Sequence, residues 1–86
     1  MIILSSGRFD KDIAKLPQKI HQAYLERLRI FALNPYHRLL NNHTLTGAYR
    51  GYNSINVTGD YRAIFEQISE DTVRFIRIGT HPQLYE

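Results

Sequence analysis

The chain contains no cysteine. That one absence removes disulfides, thiolate catalysis and cysteine-ligated metal together. No apolar run is long enough to cross a bilayer. The opening Met1-Ile2-Ile3-Leu4-Ser5-Ser6-Gly7 has neither a basic leader nor the apolar length of a signal peptide, so a cytoplasmic protein is the expectation. Internal repeats, low-complexity segments and linkers are also missing, and 86 residues are expected to form a single domain over residues 1–86. The four histidines lack ligand-like spacing, so neither a metal nor any other cofactor is expected. Basic residues are spread along the chain, which excludes a disordered polybasic arm.

Eleven Lys/Arg stand against eight Asp/Glu, for a net charge of +3. The estimated isoelectric point is about 9.5. This balance permits nucleic acid or an acidic protein as partner without demanding either. A hydrophobic share of 43% is enough for one core, in a chain short enough to be only modestly stable.

Apolar spacing sets the order of the elements. Ile2-Ile3-Leu4 predicts a first strand. Phe9, Ile13 and Leu16 recur at helical spacing, and Pro17 marks a break and a first-turn proline of the next helix. Ile20, Tyr24, Leu28 and Phe31 then form one stripe, ended by Asn34-Pro35. Residues 36–51 show no steady period and read as a long loop, a type of segment that is usually functional or mobile. Tyr52 to Val57 alternates loosely, Thr58-Gly59-Asp60 turns, and two apolar strands follow: Tyr61-Arg62-Ala63-Ile64-Phe65 and Val73-Arg74-Phe75-Ile76-Arg77-Ile78. The expected fold is α+β, β-α-α-β-β-β, with a helical hairpin on a largely antiparallel four-stranded sheet and a short tail.

A tight hairpin at Ser69-Glu70 would oppose Arg62 to Arg77, and a hairpin centred on Gly59 would oppose Asn56 to Arg62. Like charges directly across a ladder repel. An anion held between two guanidinium forks would relieve that repulsion, and phosphate suits them. Asn56, Arg62 and Arg77 are therefore expected in one row as phosphate or RNA contacts, with Asp60, Gly79, Thr80 and His81 near the strand ends. Removing either arginine is expected to stabilise the fold slightly.

RNA cleavage without metal needs a base, an acid, cations for the developing phosphate charge and a surface that splays the nucleotides. His43 and His81 can serve as base and acid because imidazole titrates near neutrality. Tyr85 can stack on a base or donate from its phenol, and Asp60 can orient a histidine or take a proton itself. Each has a plain alternative: His81 before Pro82 as a turn residue, His43 as an ordinary loop polar group, Asp60 as a turn former, Tyr85 as packing. His21 lies off the helical stripe, and His37 is not assigned by its pattern.

Three segments carry a resemblance over nearly the whole chain. They are His43-Thr44-Leu45-Thr46-Gly47-Ala48-Tyr49-Arg50-Gly51-Tyr52, Gly59-Asp60-Tyr61-Arg62-Ala63-Ile64-Phe65, and Arg77-Ile78-Gly79-Thr80-His81 with Leu84-Tyr85. The chain resembles the RelE/ParE superfamily of bacterial toxin–antitoxin toxins, and within it the YafQ branch of ribosome-dependent mRNA interferases. The resemblance implies a toxin that enters the ribosomal A site and cleaves mRNA through attack of the 2′-hydroxyl on the scissile phosphate. It implies catalytic roles for His43, Asp60 and His81, with His81 as general acid, an aromatic role for Tyr85 and a phosphate role for Arg62. It also implies a separate small antitoxin, often acidic, as partner. One departure stands out: Asn56 occupies the place of a family histidine. Asparagine can hydrogen-bond a phosphate or base but exchanges no proton near neutral pH. A ParE-like toxin that inhibits DNA gyrase by binding, and a catalytically inactive binding module, remain open on the same fold.

Overall fold

The computed structural model describes residues 1–85. Strand β1 (Ile2–Ser5) leads into helices α1 (Gly7–Ala14) and α2 (Gln18–Leu33). Strands β2 (His43–Thr44), β3 (Asn53–Asn56), β4 (Tyr61–Ser69) and β5 (Thr72–Thr80) follow, and helix α3 (His81–Tyr85) closes the described chain. Among the described residues the strands form one sheet in the order β1-β5-β4-β3-β2. Only β1 runs parallel to its neighbour, β5; every other pair is antiparallel. The α+β class and the helical hairpin on a largely antiparallel sheet are as expected. The sheet has five strands, not four, because His43 and Thr44 pair with Ser54 and Asn53. A two-residue strand has too little alternation to be seen in sequence.

Local chemistry explains the helix boundaries. Ser6 caps α1, its hydroxyl accepting from the Phe9 amide at 3.1 Å. Pro17 is the cap residue of α2 and does not occupy its first turn. Asn34 is extended before Pro35, as the proline ring demands of the residue preceding it. Within residues 36–51 two short 3-10 turns, Arg38–Leu40 and Gly47–Tyr49, and strand β2 interrupt the expected loop. His37 caps the first of them through Nδ1, which accepts from the Leu39 amide.

The helices cover one sheet face. Phe9, Ile20, Tyr24 and Phe31 pack there against Ile55, Val57, Ala63, Phe65, Val73, Phe75 and Ile78. Burial pushes the pKa of the Tyr24 phenol upward by desolvation. Phe75 sits at the centre, its ring 5.3–6.0 Å from those of Phe9, Tyr24, Phe31 and Phe65. Phe75→Ala is expected to cost about 3–5 kcal/mol. That is a large fraction of the ~4–13 kcal/mol available to a domain of this size. Urea unfolding of the variant should show a native baseline that is short or absent.

The opposite face carries a smaller cluster, Leu45, Ile64 and Leu84, which seats α3 on the sheet. Thus one face stores the stability and the other holds the polar residues described next.

Candidate functional site

The register differs from the expected one where it matters. β3 and β4 do place Asn56 opposite Arg62. On β5, however, Arg62 faces Gly79, and Arg77 faces Ile64. Two bulges, at Ile68 and at Ile76, and a turn at Glu70-Asp71 shift the ladder. An inserted residue changes register in a way that alternation cannot reveal. The row across the sheet is therefore Asn56, Arg62 and Gly79, without Arg77. Arg62 and Arg77 do not face each other, and the repulsion argument falls with that.

Arg62 serves its own turn instead. Its Nη1 donates to the carbonyl oxygens of Thr58, Gly59 and Tyr61 at 2.9, 3.1 and 3.1 Å. Thr58 Oγ1 accepts from the amides of Asp60 and Tyr61, which tightens the same turn. Nε and Nη2 of Arg62 make no hydrogen bond among the described residues, so part of the fork remains free to bind an anion. Next to Arg62, the Asn56 Oδ1 is buried and lacks a hydrogen-bond partner among the described residues.

This turn forms one wall of an open cleft of about 500 Å³. Gly59 to Arg62 line one side and Thr80 to Pro82 the other. Asp60, Arg62 and His81 thus come together from positions nearly twenty residues apart. The exposed carboxylate of Asp60 makes no hydrogen bond or ion pair among the described residues. His81 is exposed and is the first residue of α3. Tyr85 joins it, its ring 4.6 Å from the imidazole and tilted by 30°.

Helix α3 starts where it does because of a capping box in Thr80-His81-Pro82-Gln83. Gln83 Oε1 accepts from the Thr80 amide at 2.8 Å, and Thr80 Oγ1 accepts from the Gln83 amide at 3.4 Å. The Thr-x-x-Gln spacing carries this signal in sequence, and the short tail expected after the last strand is this helix. Gly79 leaves room for this box: a Cβ there would meet Gln83 Oε1 at 2.9 Å and Gln83 Cβ at 3.3 Å, so a larger residue would displace the Gln83 side chain from its bond to Thr80.

Two expected residues stand apart from the cleft. His43 lies on β2 opposite Ser54, which in turn pairs with Ile64. That row is two residues from Arg62, roughly 7 Å along the strands and roughly 10 Å across the sheet. His43 shares the open face, but its Nδ1 lies 2.8 Å from the Asn41 carbonyl oxygen, and it lines no wall of the cleft. Arg77 points to α1: its Nε donates to Asp12 Oδ2 at 2.7 Å, and its Nη1 donates to the Tyr49 hydroxyl at 3.0 Å. Burial alone would lower the pKa of Arg77, but the hydrogen bond and charge of Asp12, with Tyr49 beside them, raise it above the ordinary arginine value. Asp12 and Tyr49 were not legible as site neighbours, because their contacts with Arg77 span 65 and 28 residues.

A two-layer sheet of this order, with a polar cleft closed by the last strand and a terminal helix, is the architecture of the RelE-type bacterial toxins. The crystal structure of YafQ from Escherichia coli strain BL21(DE3) superposes with a TM-score of 0.77 at 31% identity, over 98% of this chain and 97% of that one. The toxin in the E. coli DinJ–YafQ toxin–antitoxin complex gives 0.73 at 31% identity, over 98% and 96%. In sequence, the mRNA interferase toxin YafQ of E. coli (strain K12) is 34% identical over 85 residues, covering 93% of this chain and 90% of that protein. A family profile described as bacterial toxin of type II toxin-antitoxin system, YafQ, matches residues 2–86. The chain belongs to that family: it is a YafQ-type toxin.

Proposed function

We propose that this toxin is an endoribonuclease that cleaves mRNA, probing its substrate with the cleft between Gly59–Arg62 and Thr80–Pro82. The observation that carries the reading is the convergence in that cleft of a carboxylate, a partly free guanidinium and an exposed imidazole with an aromatic ring against it. These are the groups that 2′-hydroxyl attack on a phosphodiester requires. The 34% identity to a protein named mRNA interferase toxin supports the same chemistry.

In the proposed reaction Asp60 takes the proton of the 2′-hydroxyl, and the 2′-oxygen bonds to phosphorus. The bond from phosphorus to the 5′-oxygen breaks, and protonated His81 gives its proton to that leaving oxygen. The products are a 2′,3′-cyclic phosphate and a free 5′-hydroxyl. Arg62 neutralises the charge that develops on the phosphate, and Asn56 contributes a polar contact beside it. Tyr85 stacks on a nucleobase and splays the strand for in-line attack. His43, on the same face but outside the cleft, is proposed to contact RNA further along the strand or to exchange protons once the substrate bridges the gap. No step uses a metal ion or other cofactor. The ribosomal A site is the proposed place of encounter with translated mRNA, in the cytoplasm. Among the described residues no helix is long and apolar enough to cross a membrane.

The proposed partner is a cognate antitoxin, as DinJ is for YafQ in the E. coli complex. The net charge of +3 favours an acidic one.

The deciding experiment is induced expression in a bacterial host with 5′-ends mapped across translated messages. New ends phased with codons are expected. Growth arrest without new ends, with DNA damage signalling, would replace the nuclease with a gyrase-directed toxin.

Asn56→Ala is expected to slow cleavage by roughly 10-fold while leaving the urea midpoint almost unchanged. The buried Oδ1 makes no bond to the fold, so its removal leaves no partner unsatisfied. Cleavage at the wild-type rate would remove Asn56 from the site.

A further inference from the structure

We propose that Asp12, Arg77 and Tyr49 form a positioning relay that holds His81 in the cleft with Tyr85 against it, with Arg77 acting through helix α3 and not by touching RNA. The inference rests on the reading of the cleft given above and assigns work to three residues that line no part of it.

Helix α3 has five residues, far fewer than an isolated helix needs to persist in water. Its form and position must therefore be imposed from outside. At its start the Thr80–Gln83 capping box does this. At its other end the terminal carbonyls need donors, and the Tyr49 hydroxyl supplies one, donating to the Leu84 carbonyl oxygen at 3.0 Å. The Tyr49 ring also meets the ring of Tyr85 edge-on, at 5.4 Å and 89°. Tyr85 in turn lies against His81. Position thus passes from Tyr49 to the stacking residue and then to the acid.

Arg77 sets the direction of the Tyr49 hydroxyl. A phenol has one proton to give. Because Arg77 Nη1 donates to the Tyr49 oxygen, the phenolic proton is left for Leu84. Asp12 holds Arg77 in place, and the same Oδ2 accepts from the Ile78 amide at 3.1 Å. That amide lies past the point where β1 stops pairing with β5, so α1 completes the strand edge there through Asp12. The Arg77 and Asp12 side chains are only 16% and 12% exposed. Drawing Arg77 away to a phosphate would break the shorter of two ion pairs to a partly buried carboxylate, which is costly. Asp12 would be left to the Ile78 amide and to the exposed Arg8, whose Nε lies 3.4 Å from Oδ1.

The relay separates from a phosphate role by three variants. Tyr49→Phe keeps the ring and deletes only the hydroxyl; Arg77→Gln deletes the cation; the third combines them. In single-turnover cleavage of ribosome-bound mRNA, each single variant is expected to lower the rate at saturation about 10-fold with the half-saturating concentration unchanged. The double variant should be no slower than Arg77→Gln, as for residues acting through one chain. Proton NMR of the free toxin gives a second readout: the His81 ring protons, shielded by Tyr85, should move toward free-imidazole positions in Tyr49→Phe. The NMR arm reads geometry even if the wild type cleaves no mRNA, so failure of the nuclease reading would show separately. Wild-type cleavage and wild-type His81 shifts in Tyr49→Phe would overturn the relay. So would a raised half-saturating concentration in Arg77→Gln with no effect of Tyr49→Phe, which would return Arg77 to the phosphate. Should Arg77→Gln fail to fold, Tyr49→Phe decides alone.

Discussion

Replacing His81 with alanine is expected to slow mRNA cleavage by about 10²- to 10⁴-fold, the usual worth of a general acid. An alkoxide leaving from phosphorus without a proton is a poor leaving group, and the proposed site offers no other imidazole within the cleft. The fold should scarcely notice the change. His81 is exposed, makes no hydrogen bond among the described residues, and sits in a helix start held by Thr80 and Gln83. Thermal midpoint and antitoxin binding are therefore expected to stay at wild-type values while cleavage and toxicity disappear. A fully toxic His81→Ala protein would show that the acid is another group.

Arg62→Ala is expected to lower cleavage by about 10²- to 10³-fold, the scale measured when one preorganised charge-stabilising donor is removed. Here the fold does respond. Nη1 of Arg62 spans three carbonyl oxygens of the Thr58–Tyr61 turn, and losing it should cost about 1 kcal/mol at this half-exposed site. The sign is opposite to that expected from two facing arginines, because the facing pair does not exist. Arg62→Lys should keep part of the rate and less of the turn, since an ammonium lacks the planar fork. A clear gain in urea midpoint for Arg62→Ala would mean the carbonyl contacts contribute nothing. Unchanged cleavage would remove Arg62 from the phosphate.

The contrast between the two arginines shows how far pattern reading reaches. Both stand in apolar strands and both invite the same assignment. The pairing of Arg62 with Asn56 is as expected, since the Thr58-Gly59-Asp60 turn is short and its hairpin contains no bulge between Asn56 and Arg62. Arg77 pairs with Ile64 and not with Arg62, since a bulge in each strand, at Ile68 and Ile76, and a turn at Glu70-Asp71 lie between the two arginines. His43 has the pattern of a loop residue because the β2 pairing that fixes it is two residues long. Its neighbour Ser54 is more than ten positions away, beyond the range of any local rule.

By itself the sequence determined the α+β class, the helical hairpin, the antiparallel β3–β4–β5 meander, the Asn56–Arg62 pairing and, through its three motif segments, the toxin family. All but the family follow from apolar spacing, proline and turn chemistry, which act over a few residues; the family follows from the resemblance of the three segments. Tertiary structure alone decided that Gly59–Arg62 and Thr80–Pro82 close on one cleft, that Arg77 turns to Asp12 and Tyr49, and that His43 stands apart. The first two outcomes depend on the bulged β4–β5 ladder and on contacts between residues far apart in sequence, and the third on the two-residue β2–β3 pairing. In all three, small shifts in register move a side chain to a different neighbour.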